Sequence, residues 1–151
     1  MNKLLEFFWE WLPIPYEEYA IKGTSSIGVN YEENFPYINE LLGYAEMIVK
    51  EDITTDDCVR DLLDIMAIEN ESESILELIE EKSTEHQLNR IISIGMTHPL
   101  YEARWQLVEL IYRRKPHGYE NYLYKMLEDS HPYVKKRASN CISYNQIIKL
   151  V

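Results

Sequence analysis

Cysteine is nearly absent from this chain: two residues in 151, Cys58 and Cys141. So few, so far apart, exclude a disulfide scaffold and a structural zinc set. They predict two reduced thiols that pack as small apolar groups. Glycine is also sparse. The five, at positions 23, 28, 43, 95 and 118, form neither a GxGxxG nor a GxxxxGK pattern, so no phosphate-cradling loop is expected. Long apolar runs are missing too. The apolar start, MNKLLEFFWEWLPIPY, is interrupted by Glu6 and Glu10. It lacks the basic region and small-residue cleavage site of a secretory signal, and nothing reaches the roughly 20 apolar residues of a membrane span. A cytoplasmic protein is expected.

Positive charge is scarce in the first two thirds. The chain carries 15 Lys and Arg against 26 Asp and Glu, a net charge of −11. Residues 1–100 hold a net −15 and residues 101–151 a net +4. A negative field of that extent repels nucleic acid and anionic membrane and steers a basic partner inward.

Histidines 86, 98, 117 and 131 have no His or Cys neighbour at metal-ligand spacing, and no nucleophile motif surrounds Ser25 or Ser26. The sequence therefore predicts no catalytic residue, no metal and no cofactor.

What is present is helical periodicity. Leu4, Leu5, Phe8, Trp9 and Leu12 share a helix face, stopped by Pro13 and Pro15. Burial of this aromatic segment against Ile38, Leu41 and Leu42 is expected. Residues 13–35 read as irregular, with one short strand over Ile27–Tyr31. From residue 36 the pattern predicts helices over 36–50, from Thr54 or Thr55 to 68, from Ser72, from Thr84 to Gly95, 99–113, 119–128 and 132–142, with a last one over 146–151. Thr84 with Gln87 has capping-box spacing, Pro36, Pro99 and Pro132 suit first turns, and acidic Asp56 and Asp57 suit a helix N-terminus. The expected organisation is one domain, 1–151. Residues 1–35 hold the N-terminal helix and irregular segment, and 36–151 hold helical repeats. Short helices with short turns describe an all-α fold, a short α-solenoid of stacked antiparallel hairpins.

One helix start recurs: Asp129-Ser130-His131-Pro132-Tyr133-Val134 and Thr97-His98-Pro99-Leu100-Tyr101, each with Arg five residues beyond the proline (Arg137, Arg104). Asp57-Cys58-Val59-Arg60 is a third copy without proline, and Phe35-Pro36-Tyr37-Ile38 a fainter one. The segment Asp129–Ile142 resembles the Asp-x-x-Pro-x-Val-Arg-x-x-Ala-x-x-x-Leu helix of the HEAT-repeat family. It departs at Lys135 and Ile142, where Arg and Leu are usual. The resemblance covers residues 54–151 and, more weakly, 36–53; it implies a curved helical stack that binds proteins or, in some members, nucleic acid.

Two charged sets are candidate binding residues. Asp56, Asp57, Glu69, Glu71, Glu73 and Glu77 are the expected surface for a basic protein partner. In size, acidity and helical content the chain resembles bacterial immunity proteins, which implies occlusion of a toxin's basic cleft. The alternative is a nucleic-acid edge on the last hairpins, formed by Arg104, Arg113, Arg114, Lys135, Lys136 and Arg137, with Trp105, Tyr112 and Tyr133 available for stacking. A third reading is a scaffold or regulatory subunit. No small-molecule substrate and no membrane are expected.

Overall fold

The computed structural model describes residues 1–150. Among them the chain forms nine α-helices, two 3-10 turns and no strand: α1 Lys3–Trp11, α2 Tyr16–Lys22, α3 Ile38–Lys50, α4 Asp56–Ile68, α5 Ser74–Lys82, α6 Glu85–Gly95, α7 Tyr101–Arg114, α8 Tyr119–Met126 and α9 Pro132–Leu150, with the turns at Gly23–Ser26 and Tyr31–Asn34. The all-helical reading holds, and no helix is long and apolar enough to cross a membrane.

Two helices form the centre. In α4 every residue from Asp61 to Ile68 is buried, and in α7 every residue from Glu102 to Val108. Burial around the full circumference requires neighbours on all sides. α7 packs against α2, α4, α5, α6, α8 and α9, and α4 against α3, α5, α6 and α7. Gly95, at the end of α6, makes one of these approaches possible, because a Cβ there would lie 2.9 Å from Leu107 and 3.3 Å from Leu63. Its role is close packing.

Helix ends leave backbone carbonyls without partners, and here side chains from other helices supply donors. Gln87 Nε2 donates to the carbonyls of Ile48, in the last turn of α3, and Ile53, just after it, at 2.9 Å each. Gln106 Nε2 donates to Met66 O near the end of α4. The Arg114 guanidinium donates to the carbonyls of Ile79 and Glu80 at the end of α5. Thr84 caps α6 by accepting from Gln87 N–H, as its spacing predicts.

The repeated His-Pro start has a repeated geometry. His98 Nδ1 accepts from Leu100 N–H at 3.1 Å, and His131 Nδ1 accepts from Tyr133 N–H at 3.1 Å. His131 thereby caps α9, whereas His98 orders the residue just before α7. Nδ1 is thereby an acceptor and the proton sits on Nε2. His98 directs that Nε2–H to buried Asp64 on α4 at 2.7 Å, and His131 directs it to the Ile21 carbonyl on α2 at 2.9 Å. The two arginines also act between elements. Arg104 grips Asp129 through two bonds, 2.9 and 3.1 Å, and also donates to the carbonyls of His98 and Pro99. Arg137 reaches Glu109 on α7 and lies 4.6 Å from the Trp105 ring centre.

Three expectations are corrected. The Ile27–Tyr31 strand does not form, because Gly28 and Asn30 have φ of 106° and 59°, outside the extended region. Residues 13–35, expected to be irregular, also contain α2, a seven-residue helix too short to show a period. Its acidic first turn (Glu17, Glu18) and the Lys22–Glu18 ion pair at 3.0 Å support it. The expected break between a helix over 132–142 and another from 146 is absent. α9 runs on because no Pro or Gly interrupts it, and Asn145 is buried against α8, accepting from Tyr119 Oη at 3.0 Å. Residue 151 of the expected last helix lies outside the described residues. The aromatic start is buried only in part: Leu5 and Phe8 are fully covered, Trp9 and Trp11 are half-buried, and Phe7 is 44% exposed. Its nearest aromatic partners are Tyr16, Tyr19, Tyr31, Phe35 and Tyr37, and α1 also touches α3.

Removing Arg104 leaves a nearly buried carboxylate and two loop carbonyls without their cation. Arg104→Ala is expected to cost about 3–5 kcal/mol of unfolding free energy. Arg104→Lys, which keeps the charge but loses the two-pronged grip, is expected to fall between that variant and wild type. Urea denaturation measures both, and an Arg104→Ala midpoint equal to wild type refutes the assignment.

Candidate functional site

The predicted acidic residues fall at the two ends of α4, about 18 Å apart by helix rise. At its start, Asp56 pairs with Arg90 and Asp57 approaches Arg60 at 3.8 Å. At its end lie Glu69, Glu71 and Glu73, and Glu77 is exposed on α5. Glu73 approaches Arg113 at 3.8 Å. Glu69 accepts from Ser74 N–H and Ile75 N–H at the start of α5, a helix-capping role that its position five residues upstream did not announce.

The end of α4 borders a groove of about 300 Å³ between the Tyr31–Asn34 turn, α3 and the α4–α5 connection. Glu32, Glu33 and Glu69 line it, and a shallower recess sharing its walls adds Glu71. Ile38, Leu42 and Ile68 supply an apolar side. None of the four carboxylates pairs with Lys, Arg or His among the described residues. Burial, with Glu33 adding repulsion, pushes the Glu69 carboxyl above the usual carboxylate range. Glu32 is 2% exposed. Its Oε2 accepts from Tyr19 Oη at 2.7 Å and Thr24 Oγ1 at 2.6 Å, while its Oε1 has no partner.

A larger cleft, about 410 Å³, lies beside the first half of α4 and is lined by Asp57, Asp61, Asp64, Tyr16, Ser93 and His98, among others. A His–Asp pair in a cleft invites a general-base reading. The geometry argues against it, because both His98 nitrogens are engaged, Nδ1 by Leu100 N–H and Nε2 by Asp64. Asp61 accepts from Tyr44 Oη and from the backbone N–H of Asn2 through one oxygen, which fastens the N-terminus to α4. No cluster of three or more potential metal ligands occurs among the described residues.

The basic edge is largely engaged within the chain. Arg104 is 8% exposed and bound to Asp129. Arg113 reaches Glu80 at 3.3 Å, Arg114 caps α5, and Arg137 binds Glu109. Lys135 and Lys136 are exposed. Trp105 is buried and Tyr133 half-buried, both beside the Arg137 guanidinium. Both cysteines are free, and burial pushes the Cys141 thiol up to about 12.

Reasoning from sequence missed Glu32, Glu33, Asp61, Asp64 and Glu102. The first two sit in a segment with no period, and the others lie on helix faces that read as ordinary. The Glu-Glu pair directly after Tyr31 was the one available signal.

If Glu69 caps α5, Glu69→Ala is expected to lower stability by about 1 kcal/mol, read by thermal or urea denaturation with no partner present. An unchanged stability removes the capping role. No protein family model, curated protein or solved structure matches this chain.

Proposed function

We propose that this chain is a protein-binding module that receives a basic partner on the acidic groove at the end of α4. The observation that carries the reading is the gathering of Glu32, Glu33 and Glu69 on one groove, with Glu71 in the adjoining recess, without a compensating cation. Uncompensated carboxylates around an apolar wall favour a ligand that is cationic at its tip and aliphatic along its stem, the form of a lysine or arginine side chain. Exposed Glu77 on α5 extends the negative surface beyond the groove. We read the helices as a HEAT-like stack of hairpins. Its support is the packing of α3 on α5, α5 on α7 and α7 on α9, alongside the sequential pairs α3–α4, α7–α8 and α8–α9.

Within that reading the best-fitting role is neutralisation of a basic toxin domain by occlusion, as the resemblance to immunity proteins implies. A nucleic-acid role would rest on Lys135 and Lys136, because the other four residues of the C-terminal edge are engaged internally. A scaffold role would show as a stable complex that inhibits nothing.

The test begins with a basic domain encoded beside this chain's gene. Co-expression is expected to rescue cells from that domain. The triple variant Glu33→Gln, Glu71→Gln, Glu77→Gln, which spares the carboxylates that hold the fold, is expected to slow association at least tenfold at low salt and to flatten its salt dependence. An unchanged association rate at low salt rules out this groove as the docking surface.

A further inference from the structure

Glu102 is a buried carboxyl that neither the fold's ion pairs nor the proposed groove uses. It lies in the first turn of α7, 5% exposed, with Oε2 buried and without a partner. Gly23 rests directly on it: a Cβ added to that glycine would lie 2.8 Å from Glu102 Cγ and 2.9 Å from Cδ. The groups facing the carboxyl are Tyr101 and Trp105 from α7 itself, Tyr19 from α2, Glu32 from the second 3-10 turn and Glu71 from the α4–α5 connection. His131, from the start of α9, stacks on Tyr101 with ring centres 3.8 Å apart. None of these supplies a salt bridge to Glu102, and two are carboxylates.

The tethers of the N-terminal segment gather at the same place. Ile21 O receives His131 Nε2–H, Lys22 O receives Tyr101 Oη–H at 3.5 Å, and Thr24 Oγ1 receives Asn70 Nδ2–H at 2.9 Å. All lie within two residues of Gly23. A negative charge on Glu102 would therefore sit dry beneath the clasp, facing the unpartnered oxygen-bearing carboxyl of Glu32. The way to hydrate it is to lift the covering backbone.

We propose that residues Tyr16–Asn34 form a proton-dependent strap, clamped on α7 when Glu102 is protonated and loosened when Glu102 ionises. Burial pushes the Glu102 carboxyl up to about 7 against the lowering effect of Tyr101 and Trp105, with Glu32 and Glu71 adding repulsion. The sign follows. The clamped state holds its proton to about pH 7, whereas an opened, hydrated Glu102 ionises near its ordinary value. The clasp is therefore tightest at acid pH and weakens as pH rises through 7.

Amide hydrogen exchange on the full chain, corrected for the intrinsic pH dependence, reads the opening directly. Between pH 5.5 and 8 the opening constant for amides in residues 17–27 is expected to rise roughly 30-fold, while those of α4 and α7 hold steady. In Glu102→Gln the rise is expected to vanish. A carbon-13 titration of the wild-type Glu102 carboxyl, which needs no variant to fold, is expected to share its midpoint with the opening. Protection that is flat across this range, that falls equally in Glu102→Gln, or that is lost toward acid pH overturns the proposal. A Glu102 midpoint near 4.5 overturns it as well.

Discussion

The grip of Arg104 on Asp129 is the contact on which the second half of the molecule depends. One guanidinium satisfies a carboxylate through two parallel bonds and at the same time closes the loop that precedes its own helix, by donating to the carbonyls of His98 and Pro99. Asp129 Oδ1 also accepts from His131 N–H and so orders the loop before α9. A single buried ion pair thus sets two helix starts at once. Because the pair is removed from water, its strength lies in completeness: every polar atom it orders has a partner, and removing either half strands the other.

The same logic recurs around the two central helices. Asp61–Ile68 of α4 and Glu102–Val108 of α7 are covered on all sides, so the polar side chains in and beside these stretches act as connectors. Asp64 holds His98, Gln106 closes the end of α4, and Arg137 spans from α9 to Glu109. Buried polar groups that are fully satisfied fix one arrangement of helices against alternatives that leave donors unmade. Among the described residues the exceptions include Glu102 Oε2 and Glu32 Oε1, at the joint where the N-terminal segment meets the other helices, and also Gln87 Oε1, Gln106 Oε1, Glu73 Oε1, Trp9 Nε1 and Trp105 Nε1.

The acidic groove is built on that joint as well. Glu32 faces the groove with its neighbour Glu33 and is anchored by Tyr19 and Thr24, both in the strap. The surface we propose for a basic partner and the attachment of the strap therefore share a residue. Charge at the groove favours a cationic ligand from outside, while the Glu32 bonds to Tyr19 and Thr24 hold the strap together from inside.

The sequence by itself determined the helical class, nearly all the helices from residue 36 on, the Thr84 cap and the recurrence of the His-Pro start. These are local: a 3.6-residue period, a capping side chain or a proline in the first turn acts within a few residues. The electrostatic asymmetry was equally legible, since charge is a count. Tertiary structure alone decided what each charge does. Arg104, Arg114 and Arg137 read as a solvent-facing edge, yet the fold brings Asp129, the end of α5 and Glu109 to them. Glu69 reads as part of an acidic face and is a helix cap. Tyr16–Lys22 is too short to show a period and becomes a helix because Tyr19 finds a buried partner in Glu32, thirteen residues later. Whether a charged group is free or engaged depends on which distant residue meets it, and only packing fixes that distance.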